Sequence, residues 1–318
     1  MSERDLRQFS GNHRREFLRC AAWSGAGLLW SLNGGVPASL LISNANAAER
    51  GAKNSAFSFV QISDTHIGFN KPANPDPIAT LRKAIADIKA LPQAPAFVLH
   101  TGDITHLSKD SEFDDAMQVL KEINLPIHFV PGEHDTQDEG NGKAFLNRFG
   151  KDTLGDGWYS FDAHGAHFIA LVNVVRLQSG GLGSLGDAQL AWLKSDLAHR
   201  SASTPIVVFA HMPLWSLYPD WGWGTADSGE ALKLLNRFGS VTVLNGHIHQ
   251  IQKKIEGHVH FHTARSTAFP QPEPGTAKSP GPMLVPAEQL RAKLGITSVQ
   301  LINTHSPLAL VDATLERG

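Results

Sequence analysis

Five short strings in this 318-residue chain bring carboxylates and imidazoles together: "ISDTHIG" with Asp64 and His66, "HTGDIT" with Asp103, "VPGEHDTQ" with Glu133, His134 and Asp135, "FAHMP" with His211, and "NGHIHQ" with His247 and His249. Carboxylate oxygen and imidazole nitrogen are the donors that suit hard-to-borderline divalent ions, and a carboxylate can bridge two of them. Thiolate chemistry is closed, because the single cysteine, Cys20, lies near the start of the chain. Any one of the five strings also suits an ordinary polar turn. What points to chemistry is their recurrence, each just past an apolar run. Two imidazoles at i and i+2 on a strand, such as His247 and His249, would share a face and could hold neighbouring ions.

The elements that must position these residues are legible as a rhythm. From about residue 56, strand-length apolar runs alternate with helical patterns: "SAFSFVQIS", "IATLRKAIADIKAL", "PAFVLHTGD", "EFDDAMQVLKEI", "IHFVPGEHD". Ile78, Leu81, Ile85 and Ile88 recur at helical spacing, so the alternation predicts an α/β layered fold with neighbouring strands parallel. In such sheets ligands gather beyond the carboxyl ends of strands, which lets distant residues converge. After residue 156 the run "GWYSFDAHGAHFIALVNV" reads as a hairpin turning at His164 and Gly165. A helix with Leu190, Leu193 and Leu197 on one stripe follows, then more strands and helices. The proline-rich stretch 269 to 282 reads as a surface loop inside one domain.

Lys+Arg number 28 against 30 Asp+Glu, a net charge of -2, and no long basic block occurs. That excludes the electrostatic footprint of a nucleic-acid polymer or an anionic membrane surface. The start of the chain has another character. Arg14 and Arg15 precede Phe17, Leu18 and a short apolar run rich in small residues, and "SNANAAE" offers an Ala-x-Ala pattern at Ala45 and Ala47. This resembles a twin-arginine export signal, although His13 stands where that pattern has Ser or Thr. The apolar run is shorter than the roughly 20 residues a spanning helix needs. The expected organisation is therefore a signal over 1–47 that is removed, a linker over 48–55, and one domain over 56–318. The resemblance implies the twin-arginine machinery as a partner, no membrane span after cleavage, and a periplasmic or secreted protein.

The order Asp-x-His, Gly-Asp, Gly-x-His-Asp, His, Gly-His-x-His resembles the calcineurin-like metallophosphoesterases, and "GHIHQ" is similar to their cyclic-nucleotide phosphodiesterase branch. That resemblance implies a four-layer α-β-β-α sandwich of two mixed sheets with two metal ions at its edge, of manganese, iron or zinc type. It places Asp64, His66 and His249 on the first ion and His211 and His247 on the second, with Asp103 between them. It also implies a small-molecule phosphate ester as substrate, a metal-bridging hydroxide as nucleophile, and His134 as the group serving the leaving oxygen. The family writes Asn where this chain has Glu133, so Glu133 either binds the second ion as a third carboxylate, the favoured reading, or swings its longer arm away and leaves that ion weakly held. Three readings stay open: diester or monoester hydrolysis in general, cyclic-nucleotide hydrolysis, and a non-catalytic envelope metal-binding protein.

Several other residues invite a role. Asp135 could orient its turn or His134 itself, or simply cap that turn, and His100 reads as a buried structural histidine or a partner to a ligand. Trp215, Trp221 and Trp223 could line the entrance and stack on a planar group, and Arg265 could meet a phosphate. His258, His260 and His262 alternate along one strand face.

Overall fold

A computed structural model describes residues 57–301 and 308–316 together with the backbone of two strands, β1 (Gly27–Asn33) and β2 (Val36–Ile42). Arg14, Arg15, Ala45 and Ala47, which carry the export reading, lie outside the described residues. Next come β3 (Phe57–Ile62), α1 (Pro77–Lys89), β4 (Val98–His100), α2 (Asp110–Leu120), β5 (Ile127–Phe129) and α3 (Lys143–Phe149). Strands β3, β4 and β5 are parallel neighbours, joined by α1 and α2 as the alternating pattern requires. Helix α1 starts where Asp76 Oδ1 accepts the Ala79 N–H at 2.9 Å and Pro77 occupies the first turn. It buries Leu81, Ala84, Ile85 and Ile88, one face at the spacing read from sequence.

The second half adds β6 (Tyr159–Ala163), β7 (Ala166–Ala170), α4 (Asp187–Leu197), β8 (Ile206–Phe209), α5 (Ser228–Leu235), β9 (Val241–Asn245), β10 (Lys253–Glu256) and β11 (Val259–Thr263). The chain then returns through α6 (Ala287–Lys293), β12 (Gly295–Leu301) and β13 (Ala309–Thr314) to the first sheet. The first sheet runs β2-β1-β13-β12-β3-β4-β5 and the second β10-β11-β9-β8-β7-β6, both mixing parallel and antiparallel pairs. The β6–β7 hairpin turns at His164 (φ 49) and Gly165 (φ 81), two left-handed residues that match the strand twist.

Three apolar cores define four layers. Phe59, Leu99, Phe168, Phe209 and Leu244 pack between the sheets. Val60, Ile62, Phe113 and Ile85 join the first sheet to α1 and α2, while Val208, Val243, Leu193, Leu197 and Leu235 join the second to α4 and α5. The α/β sandwich implied by the sequence is the fold observed, in a single domain. Strands β3, β4, β5, β8 and β9 end just before the five polar strings. No described helix is long and apolar enough to cross a membrane. The proline-rich stretch 269–282 lacks helix and strand, as expected, but its first residue, Phe269, is buried.

Candidate active site

Each polar string leaves its strand through a tight turn, and the turns hold one another. The N–H groups of Asp64 and His66 donate to the carbonyls of Gly102 and Asp103 at 3.0 and 2.9 Å, and Gly246 N–H donates to His211 O at 3.0 Å. His247 N–H donates to Asp64 Oδ1 at 3.1 Å and His134 N–H to Asp103 Oδ1 at 2.9 Å. Asp64, His66, Asp103, His247 and His249 all adopt positive φ, between 40° and 69°. Such backbone costs a non-glycine residue on the order of 1 kcal/mol or more, and it persists where the surroundings over-determine it. Strand β9 stops at Asn245, so His247 and His249 are not the strand neighbours the i, i+2 spacing suggests. Their left-handed turn aims them into separate groups.

Glycines in these strings make room for the acids. A Cβ on Gly132 would stand 2.0 Å from Asp103 Oδ1, and one on Gly246 would stand 2.7 Å from Asp64 Oδ2. Ligand-type side chains therefore fill the space beside both residues.

The side chains converge in two linked sets. Asp64, His66 and His249 offer donor atoms within 4.8 Å of one another, and so do Glu133, His211 and His247. His249 Nε2 is 3.2 Å from both Asp64 Oδ1 and His66 Nε2. Asp103 joins the sets: its Oδ2 lies 3.4 Å from His66 Nε2 and 3.4 Å from His211 Nε2. Glu133 reaches the second set with both oxygens, Oε2 2.9 Å from His211 Nε2 and Oε1 2.9 Å from His247 Nδ1. Glu133 Oε2, His211 Nε2 and both nitrogens of His247 are buried and make no hydrogen bond among the described residues. Close donor atoms that do not bond to one another are suited to a shared cation. The seven side chains picked from sequence thus meet in one place, and their donor set fits two metal ions.

Backbone carbonyls set the orientation of two imidazoles. His211 Nδ1–H donates to Thr101 O and His249 Nδ1–H to Phe269 O, each at 2.6 Å, leaving both Nε2 atoms facing the carboxylates. Thr101 and Phe269 escaped the sequence reading because a carbonyl carries no residue signature. Of the readings open for Asp135, orienting its turn is the one its hydrogen bonds support. Asp135 accepts the N–H groups of Ile104, Thr105 and Gly132 at 2.9, 2.8 and 3.0 Å and the Thr105 hydroxyl at 2.9 Å, clamping the Asp103 turn to the Glu133 turn. His100 is a structural histidine, 3.2 Å from Thr65 Oγ1 and accepting Gly102 N–H at 3.3 Å; burial pushes it down to about 3.

Electrostatics follow the geometry. Burial works against charge on Glu133, but His247 and His211 hold its carboxyl well below the usual range. Burial likewise opposes a proton on His134, yet the Asp103 and Glu133 carboxylates raise it above the ordinary imidazole value. His134 Nδ1–H donates to His106 O at 2.7 Å, so Nε2 is its free nitrogen.

Other candidates belong elsewhere. Trp215 and Trp223 are buried, Trp215 packing on Phe261 at 5.0 Å and Trp223 edge-on to Trp221 at 5.1 Å, so they pin their loop instead of lining an entrance. Arg265 donates to Ala292 O at 2.6 Å at the end of α6. His262 bonds Asp312 Oδ1 at 3.0 Å, tying the second sheet to the first, and the alternating His258, His260 and His262 form no metal-ligand group among the described residues.

A sequence profile for the calcineurin-like phosphoesterase family matches residues 57–251, more than half of the chain and all seven donor side chains. The chain is 28% identical over 206 residues to a probable cyclic nucleotide phosphodiesterase of Vesicomyosocius okutanii, spanning 64% of this chain and 78% of that protein. It is 26% identical over 166 residues to a probable glycerophosphodiester phosphodiesterase of Arcobacter nitrofigilis, spanning 48% of this chain and 56% of that one. The fold is similar to a purple acid phosphatase from yellow lupin seeds, with a TM-score of 0.61 at 15% identity over 83% of this chain and 52% of the other. With the profile match covering the turns that carry the converging carboxylates and imidazoles, the chain belongs to the calcineurin-like phosphoesterase family and is a metal-dependent phosphoric ester hydrolase.

Proposed function

We propose that this protein hydrolyses phosphodiesters of small-molecule alcohols. The observation that carries the proposal is the position of Asp103, whose one oxygen stands equally close to His66 and His211 and so joins two donor sets beside His134. Asp64, His66, His249 and Asp103 would hold one ion, and Glu133, His211, His247 and Asp103 the other. Bound there, two ions supply positive charge for the phosphoryl oxygens and acidify water near neutral pH.

The chain's own residues do the rest. The carbonyls of Thr101 and Phe269 keep two imidazoles turned toward the ions, and the Asp135 clamp fixes the distance between the two acid-bearing turns. His134, held at Nδ1 by His106 O, presents Nε2 as the atom that hands a proton to the leaving alcohol. Preference for diesters is supported by the relatives, two of which are named as phosphodiesterases. A nucleobase would find no platform in Trp215 or Trp223, which are committed to the core. Export by the twin-arginine route to an envelope or extracellular compartment remains part of the proposal, on the strength of Arg14, Arg15 and the Ala45, Ala47 pattern.

The test is turnover of bis(4-nitrophenyl) phosphate beside 4-nitrophenyl phosphate by protein purified with its native metals, before and after chelation. Faster diester turnover that chelation abolishes is the expected result. Faster monoester turnover would overturn the diester preference, and turnover indifferent to chelation would overturn the metal sets.

A further inference from the structure

One imidazole beside the site has no part in the metal sets. His106 brings a nitrogen within 4.8 Å of those of His66 and His134. Its ring stacks on His134 at 4.9 Å and 15°, and its carbonyl anchors His134 Nδ1. Beside His106 stands Lys71, with Nζ 3.3 Å from His106 Nε2 and 5.5 Å from the centre of the Phe69 ring. The ammonium has only donors, so it donates to Nε2, and the imidazole proton must reside on Nδ1. His106 is 7% exposed, and its Nδ1 has no partner among the described residues.

Lys71 is exposed and has no carboxylate within ion-pair distance among the described residues. Its position is nevertheless fixed. Asn74 N–H donates to Lys71 O at 3.0 Å, and the Asn74 amide donates to Ala268 O at 2.7 Å, one residue before the carbonyl that orients His249. A cation normally left to solvent is here tethered beside the site by a turn, an aromatic face and an imidazole.

The order of these groups gives a direction. On the proposed reading His134 serves the leaving oxygen, His106 stacks against it, and the exposed Lys71 adjoins His106, while Asp64, Asp103 and Glu133 belong to the donor sets. Resting on the phosphodiesterase reading above, we propose that Lys71, presented by His106, binds an anionic oxygen on the leaving-alcohol side of the substrate. The substrate class is then a phosphodiester whose released alcohol carries a further carboxylate or phosphate.

The experiment uses metal-loaded protein and two non-hydrolysable ligands, benzylphosphonate and 4-carboxybenzylphosphonate, in which the benzyl group takes the place of the leaving alcohol. Titration calorimetry on wild type, Lys71→Met and Lys71→Arg gives the affinity ratio of the two ligands, and turnover of bis(4-nitrophenyl) phosphate is measured alongside. Wild type is expected to favour the carboxylated ligand about tenfold, or about 1.4 kcal/mol. Lys71→Met should erase that ratio and Lys71→Arg retain most of it, whereas a merely structural lysine would change both affinities together and leave the ratio alone. A ratio unchanged in Lys71→Met, or no preference in wild type, overturns the proposal. A preference that Lys71→Met erases, in protein that turns over no diester, supports the anion site and overturns the hydrolase reading instead.

Discussion

Glu133 shows how one side chain can be read from sequence and still need coordinates. An acid after a strand-ending glycine could be a solvated turn residue, but both its oxygens lie 2.9 Å from imidazole nitrogens of the second donor set. If it is a ligand there, neutralising it should weaken that ion selectively. Glu133→Gln is expected to lose about one metal equivalent per chain to a mild chelator under conditions where wild type keeps both, read by elemental analysis. Equal retention in the two proteins would remove Glu133 from the donor set. His134 was also legible, whereas Lys71 and His106 were not. A lysine and a histidine 35 positions apart have no common motif, and only the turn at Asn74 brings them within 3.3 Å.

At the scale of elements, the turns after β4 and β5 depend on a carboxylate outside the two donor sets. Asp135→Ala would leave three buried N–H groups without an acceptor, each costing about 1–3 kcal/mol. A loss of roughly 3–5 kcal/mol in urea unfolding is expected, with metal retention falling in parallel. A stability change under about 1 kcal/mol would mean that other contacts hold the two turns together. Strand β5 carries a second test. His128 stacks on Phe161 at 3.9 Å and meets Phe97 edge-on at 5.1 Å, and burial pushes it from 6.5 down to about 4. Because its folded value is depressed, the unfolded chain binds more protons between those limits, and stability must fall as pH drops from about 6.5 toward 4. At pH 5 the loss from this residue should be roughly 1–2 kcal/mol, discounted for its partial exposure. His128→Phe should make the urea midpoint less sensitive to pH between 7.5 and 5, and an identical pH slope in both proteins would exclude His128 as a source.

For the whole molecule, the sandwich separates what holds the site from what lies at its margin. The donor turns follow β3, β4, β5, β8 and β9, whereas the β1–β2 hairpin joins the first sheet at β13, two strands away from β3. A chain beginning at residue 48 should therefore keep its metal content and lose less than about 1 kcal/mol, or about 3 °C in thermal midpoint. A larger loss, or metal-free protein, would make the hairpin part of the working fold and count against its removal on export. Sequence by itself determined the alternating α/β pattern, the two-strand turn at His164 and Gly165, and which seven carboxylates and imidazoles would converge beside His134, because periodicity and residue chemistry are written locally. Only tertiary structure decided that Trp215 and Trp223 belong to the core, that Asp135 is a clamp, that His247 and His249 diverge from left-handed backbone, and that Lys71 reaches His106. These outcomes depend on which turns lie side by side once two sheets pack, and on carbonyls and φ angles that no residue letter encodes.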